Sequence, residues 1–252
     1  MILETEAIIL QVRRYSDTSK IAVVFSKEFG KISILAKGAF TAKSKFSGCL
    51  ELLSYVNISF YKKSSSDLHL LKSVELVKPF YKITKNYDAL IAGLVAAEMV
   101  NKTQNENFEN IELFEYFVEF LQALNNDVEF GFSLCVNFLF CLAKNLGYLI
   151  DFSFVDGNSQ NIREVKVFLD DVTNLADTHN YNNYNNYSSE NYRKHFSFRF
   201  ATVVKILDFD SENINKQIEL SNNEFTELIN FFATFFEFHL DKKIQIKTLN
   251  LL

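Results

Sequence analysis

A single proline, Pro79, constrains this chain more than any other residue. Proline disfavours helical geometry at the residue before it and offers a sheet ladder no donor, so neither a helix nor a central strand runs through it. The hydrophobic pattern changes at the same point. Before Pro79 the apolar residues recur every second position, and beyond it they fall at helical spacing. The sequence therefore predicts an α+β multidomain chain, with a strand-built domain over 1–79 and an all-α helical domain over 80–252.

In the first region, residues 5–15 (TEAIILQVRRY) read as a strand with an apolar centre and a basic tip at Arg13 and Arg14. Ser16, Asp17, Thr18 and Ser19 supply turn chemistry. Residues 20–26 alternate well enough to bury one face, and KEFGK turns at Gly30 into a third strand, KISILA. Residues 55–61 (YVNISFY) put Val56, Ile58 and Phe60 on one face, and a polar turn leads to a last strand over 68–77. Five such strands close a small barrel. The long loop after the third carries Lys37, Lys43 and Lys45 among Phe40 and Phe46, which completes the outline of an OB-fold. Cations spaced along a loop meet successive phosphates while exposed rings offer a stacking face; a solvated lysine loop is the plainer reading of the same residues.

The second region opens with helical spacing over 88–100 and again over 111–124, where Leu113, Phe114, Phe117, Phe120, Leu121 and Leu124 form one stripe. Residues 130–148 are apolar nearly all round, with Gly147 placed as a C-terminal cap, and predict a buried central helix rather than a membrane span. Residues 165–169 suit a short strand. The Tyr- and Asn-rich segment 179–194 has no hydrophobic period and reads as a mobile loop. A helix over 198–207 precedes the clearest one, over 221–240, which opens on a capping box of Ser221 and Glu224.

The net charge of −5 conceals an asymmetry. Up to Lys85 there are fourteen Lys and Arg against seven Asp and Glu, leaving twelve against twenty-four for the rest. A polyanion is thus expected at the N-terminal end. The loops that cradle phosphates, G-x-x-x-x-G-K-[ST] and G-x-G-x-x-G, do not occur, nor does the nucleophile motif G-x-S-x-G. None of His69, His179, His195 and His239 makes a helical metal pair, and the pairs Asp170/Asp171 and Asp208/Asp210 read as exposed turn residues. A catalytic role is therefore disfavoured. Cys49, Cys135 and Cys141 lie apart in apolar sequence, so reduced, buried thiols are expected, and without an export leader the protein is expected to be cytoplasmic.

The opening forty residues, the KSKF run and LSYVNISFY together resemble the N-terminal domain of the bacterial RecO family of recombination mediators, and FEFHLDKKIQIKTLNLL is similar to that family's final helix and extension. The resemblance implies an OB-fold followed by a helical domain, no catalytic activity and a role in recombinational DNA repair. It implies binding to single- and double-stranded DNA, annealing of complementary strands, and loading of the RecA recombinase, with RecR, onto strands coated by single-strand-binding protein. That protein's acidic C-terminal tail is a further implied ligand. Many members carry a four-cysteine zinc module in the region matching 151–195; this chain has no cysteine there, so no zinc and no other cofactor is expected, and the Tyr/Asn-rich insertion takes its place. The resemblance carries DNA binding onto Arg13, Arg14, Lys37, Lys43 and Lys45, with Lys20 and Lys31 as weaker candidates. Reversing the charges of Lys43 and Lys45 together is expected to weaken binding and flatten its salt dependence. The alternatives are a scaffold that binds a partner tail with little DNA affinity, and a hydrolase using scattered carboxylates.

Overall fold

The computed structural model describes residues 1–41, 44, 46, 48–62, 67–150, 164–169, 194–206 and 217–252. Five strands come first: β1 (Ile2–Arg14), β2 (Lys20–Ser26), β3 (Gly30–Ala36), β4 (Tyr55–Tyr61) and β5 (Leu68–Lys78). They form a closed barrel in the order β1-β2-β3-β5-β4, sealed by pairing of β1 with β4. All neighbours are antiparallel except β3 and β5. This is the OB-like barrel that the alternating pattern implied. β1 serves two partners, β4 along its first half and β2 along its second, and its register shifts between Ile9 and Gln11. A bulge of this kind bends a strand, which lets one long strand turn the corner of a small barrel.

Strand periodicity explains the core. Ala7, Ile9, Ala22, Val24, Ile32, Ile34, Val56, Ile58 and Phe60 belong to one buried cluster. Neighbours on the other face are also covered: Phe25 and Tyr55 set their rings 6.0 and 6.2 Å from Phe114 of helix α2 (Ile111–Asn126). Burial on both faces is why IAVVF reads as nearly continuous apolar sequence. Helix α1 (Tyr87–Thr103) is capped by Asn86, whose side chain accepts from the Ala89 amide, and α2 by Asn110 in the same way from Leu113. Strands give way to helices at Pro79, yet α1 and α2 lie with the barrel in one compact unit, residues 1–131 and 246–251. The chain end is held within that unit. The Glu98 carboxylate accepts from the amides of Lys247 and Thr248 at 3.3 and 2.9 Å, which satisfies the opening of a 3-10 turn, Lys247–Leu251.

The second unit, residues 132–245 with 252, holds most of α3 (Gly131–Asn145), a two-stranded sheet of β6 (Glu164–Phe168) and β7 (His195–Arg199), α4 (Phe200–Ile206) and α5 (Asn222–Leu240). Helix α3 ends on Gly147 at φ 90°, with Gly147 donating to Lys144 and Tyr148 to Ala143, the paired bonds of a Schellman motif. Among the described residues one segment, Val128–Asn145, is long and apolar enough to cross a membrane, and 72% of it is buried inside the protein. The helix expected from residue 198 begins two residues later. Ser197 and Phe198 extend instead as part of β7, where Phe196 pairs with Val167 and Phe198 with Val165, so this unit is not purely helical. Phenylalanines dominate its packing: Phe132 stacks on Phe225 at 4.1 Å, and Phe198 meets Phe231 at 5.0 Å. Residues 179–193 and the four paired aspartates lie outside the described residues.

Helix α5 opens on the expected capping box, with the Ser221 side chain accepting from the Glu224 amide and Glu224 accepting from the Ser221 amide at 2.8 Å. Lys205 adds an ion pair at 2.9 Å. Burial pushes the Glu224 carboxyl up, but the bonds from Ser221 and Lys205 outweigh it and hold the group below the usual carboxylate range. A depressed folded pKa contributes stability that is present above the unfolded value of 4.5 and is lost as pH falls through the folded one. Glu224→Gln is therefore expected to be less stable than wild type at neutral pH, with the gap closing as the solution is acidified below 4.5. Urea titrations of both proteins along a pH series check this.

Candidate nucleic-acid interface

Three chain segments meet at one end of the barrel: the end of β1, the start of β2 and the end of β3. Arg14 and Lys20 are cross-strand partners, and Lys20 pairs on its other side with Ala36, the residue before Lys37. The turn between β1 and β2 is closed by the Tyr15 amide donating to the Ser19 carbonyl at 2.9 Å. Gly38, at φ 76°, then turns the chain back across this end, and the Phe40 amide donates to the Thr18 carbonyl at 3.1 Å. The loop after β3 is thereby tied to the turn after β1.

This tie sets Phe40 beside two cations. The Arg14 guanidinium carbon lies 5.7 Å from the ring centroid and the Lys20 ammonium 5.2 Å from it. Phe40 remains 48% exposed, and Arg13, Arg14, Tyr15 and Lys37, in the segments that meet here, are exposed as well. Arg13 is adjacent to Arg14 in the strand, so the two side chains point to opposite faces of the sheet. Each inner cation has a carboxylate at hand: Arg14 meets Asp17 at 2.8 Å, and Lys20 meets Glu51 at 3.2 Å.

Of the remaining candidates only Lys31 is described, and it falls elsewhere. Lys31, the second residue of β3, lies at the opposite end, six residues from Lys37 and so about 20 Å away along an extended strand. Its ammonium donates to the Asn101 carbonyl at 2.7 Å, in the last turn of α1, where a helix presents carbonyls without intrahelical partners. Lys43 and Lys45 lie outside the described residues. Phe46, expected as a second exposed ring, is 4% exposed and belongs to the barrel core. An aromatic residue beside a lysine is ambiguous in sequence, and here the barrel interior takes it. Sequence reasoning placed Asp17 only as a turn residue and missed Glu51, which is thirty-one residues from its partner. Among the described residues no group of three His, Cys, Asp or Glu is placed to hold a metal ion.

Asp17 and Glu51 are carboxylates that Arg14 and Lys20 already face, so any other anion meets them as competitors. Exposed ion pairs are worth roughly 0–1 kcal/mol each, so they compete with a polyanion without excluding it. The double variant Asp17→Asn/Glu51→Gln is expected to bind single-stranded DNA about fivefold more tightly at low salt, a gain that anisotropy titration measures and that added salt erases.

A small closed five-stranded barrel of this strand order, with helices after it, is of the OB-like class. The comparisons narrow the class. The family model for the recombination protein O N terminal matches residues 1–80, and that for the recombination protein O C terminal matches residues 84–248. The chain belongs to the recombination protein O family. Among its relatives are proteins named DNA repair protein RecO from Salinibacter ruber, 32% identical over 49% of this chain and 48% of the relative, and from Chloroherpeton thalassium, 30% identical over 60% and 59%. A third, from Mycoplasma mycoides subsp. mycoides, is 30% identical over 59% of each chain. The matched stretches thus span about half to three-fifths of these relatives' length.

Proposed function

We propose that this protein is a non-catalytic recombination mediator in DNA repair. It binds single- and double-stranded DNA through Arg13, Arg14, Lys20 and Lys37, joined by Lys43 and Lys45 of the same loop. It anneals complementary strands and, with RecR, helps load the RecA recombinase onto strands coated by single-strand-binding protein. The convergence of Arg14, Lys20 and Phe40 from three separate segments onto one end of the barrel carries the reading. Cations there hold consecutive phosphates, and the exposed ring faces the bases. Lys31, engaged at the opposite end, has no part in it. The test is anisotropy titration of wild type with labelled single-stranded and duplex oligonucleotides, followed by a strand-annealing assay. Salt-sensitive binding of both and faster annealing are expected; indifference to both oligonucleotides overturns the proposal.

One observation favours the scaffold reading as a second. Leu52, Leu76, Pro79 and Tyr81 line an open apolar groove where β5 leaves the barrel, beside Lys78. Apolar side chains exposed together suit a partner segment better than a nucleic-acid backbone. Retention of a partner by a protein that ignores oligonucleotides would decide for this reading.

A further inference from the structure

The described end of the barrel contains two kinds of contact that answer to different features of a nucleic acid. Arg14, Lys20 and Lys37 offer charge, which a phosphate backbone satisfies whether it is single or paired. Phe40 offers an apolar face that a paired base cannot reach, since in a duplex each base is already stacked above and below. We propose that Phe40 is the residue that gives this site its preference for unpaired bases, acting as the stacking platform for one base of a single strand. The proposal rests on the DNA-binding reading above and adds the discrimination between single strand and duplex.

Three observations carry it. Phe40 is 48% exposed, although the other ring of the same loop, Phe46, is taken into the core at 4%. Nearly half of this large apolar side chain is thus left in solvent, beyond the contacts it makes with Arg14 and Lys20. Its backbone is tied to the neighbouring turn, because its own amide is bonded to the Thr18 carbonyl and Gly38 supplies the left-handed turn that places it. Finally, Arg14 and Lys20 lie 5.7 and 5.2 Å from the ring centroid. Adjacent phosphates of a strand whose base lies on Phe40 would therefore fall within reach of both cations. Stacking of this kind tolerates any base, because every base has a π-face, so the site would read strandedness and not sequence.

The test uses the full chain with Phe40→Ala and Phe40→Trp, a labelled single-stranded oligonucleotide, the matched duplex, and a strand of the same length in which abasic sugars replace the bases. Phe40→Ala is expected to lose on the order of tenfold in single-strand affinity while duplex affinity stays within about twofold, and Phe40→Trp is expected to keep or raise the single-strand value. Wild type should bind the abasic strand as weakly as Phe40→Ala binds the natural one. Equal losses on single strand and duplex, or no loss on either, overturn the inference while leaving DNA binding standing. A wild type that binds none of the three overturns the reading beneath it instead.

Discussion

Gly30→Ala is expected to cost about 2–5 kcal/mol of stability, far more than an exposed-turn substitution usually does. Gly30 opens β3 with φ 61°, a left-handed conformation that any side chain strains. A Cβ there would also stand 1.9 Å from the Phe108 carbonyl oxygen and 2.5 Å from its carbon, and both atoms are backbone, which cannot swing away. The segment leading to α2 lies directly against this turn, with the Asn107 amide donating to the Lys31 carbonyl at 2.9 Å. Relieving the clash therefore means detaching that segment from the barrel. Gly48→Ala is the control, because Gly48 has φ 75° but, among the described residues, nothing within 4 Å of the added atom. It is expected to lose about 1–2 kcal/mol, the conformational cost alone. Guanidinium unfolding of the three proteins separates the two contributions.

The double variant Arg14→Ala/Lys20→Ala is expected to bind single-stranded DNA about a hundredfold more weakly at low salt. Each cation neutralises a phosphate and releases condensed counterions, so removing two contacts should flatten the slope of log affinity against log salt by about 1.4. Stability should change little at Arg14, whose pairing with Asp17 is exposed on both sides, and somewhat more at Lys20, whose side chain is only 17% exposed. Lys31→Ala supplies the contrast. It removes the same charge, but from a position bonded to the Asn101 carbonyl, so it is expected to lower stability and leave the salt slope intact.

The barrel was legible because period-two sequence has few other outcomes. Residues 20–26 were expected as a strand and are β2 with the same bounds, since Gly and Ser/Asp turn chemistry brackets an alternating run on both sides. The amphipathic stripe of 111–124 survives residue for residue as the buried face of α2. Short apolar runs were less secure. Phe196 and Phe198 satisfy both a strand alternation and a helix that starts there, and pairing with β6 decided for the strand. The candidate site was legible in residue type but not in partnership. Arg14, Lys20 and Lys31 are alike in sequence, and only the register of β2 with its two neighbours shows that the first two share an end of the barrel while the third serves α1. The Glu98 contact with Lys247 and Thr248, about 150 residues apart in the chain, has no local signal at all.

Nucleic acid is expected to run over the end of the barrel formed by Arg14, Lys20 and Phe40. Hydroxyl-radical footprinting tests it directly, because aromatic side chains report their own exposure at both ends of the barrel. Tyr15 and Phe40 are 59% and 48% exposed at that end, and Phe108 is 64% exposed beside Gly30 at the other. Adding a saturating single-stranded oligonucleotide should protect Tyr15 and Phe40 from oxidation and leave Phe108 as reactive as before. Protection of Phe108 with Tyr15 and Phe40 unchanged would place the strand at the opposite end of the barrel, away from Arg14, Lys20 and Phe40.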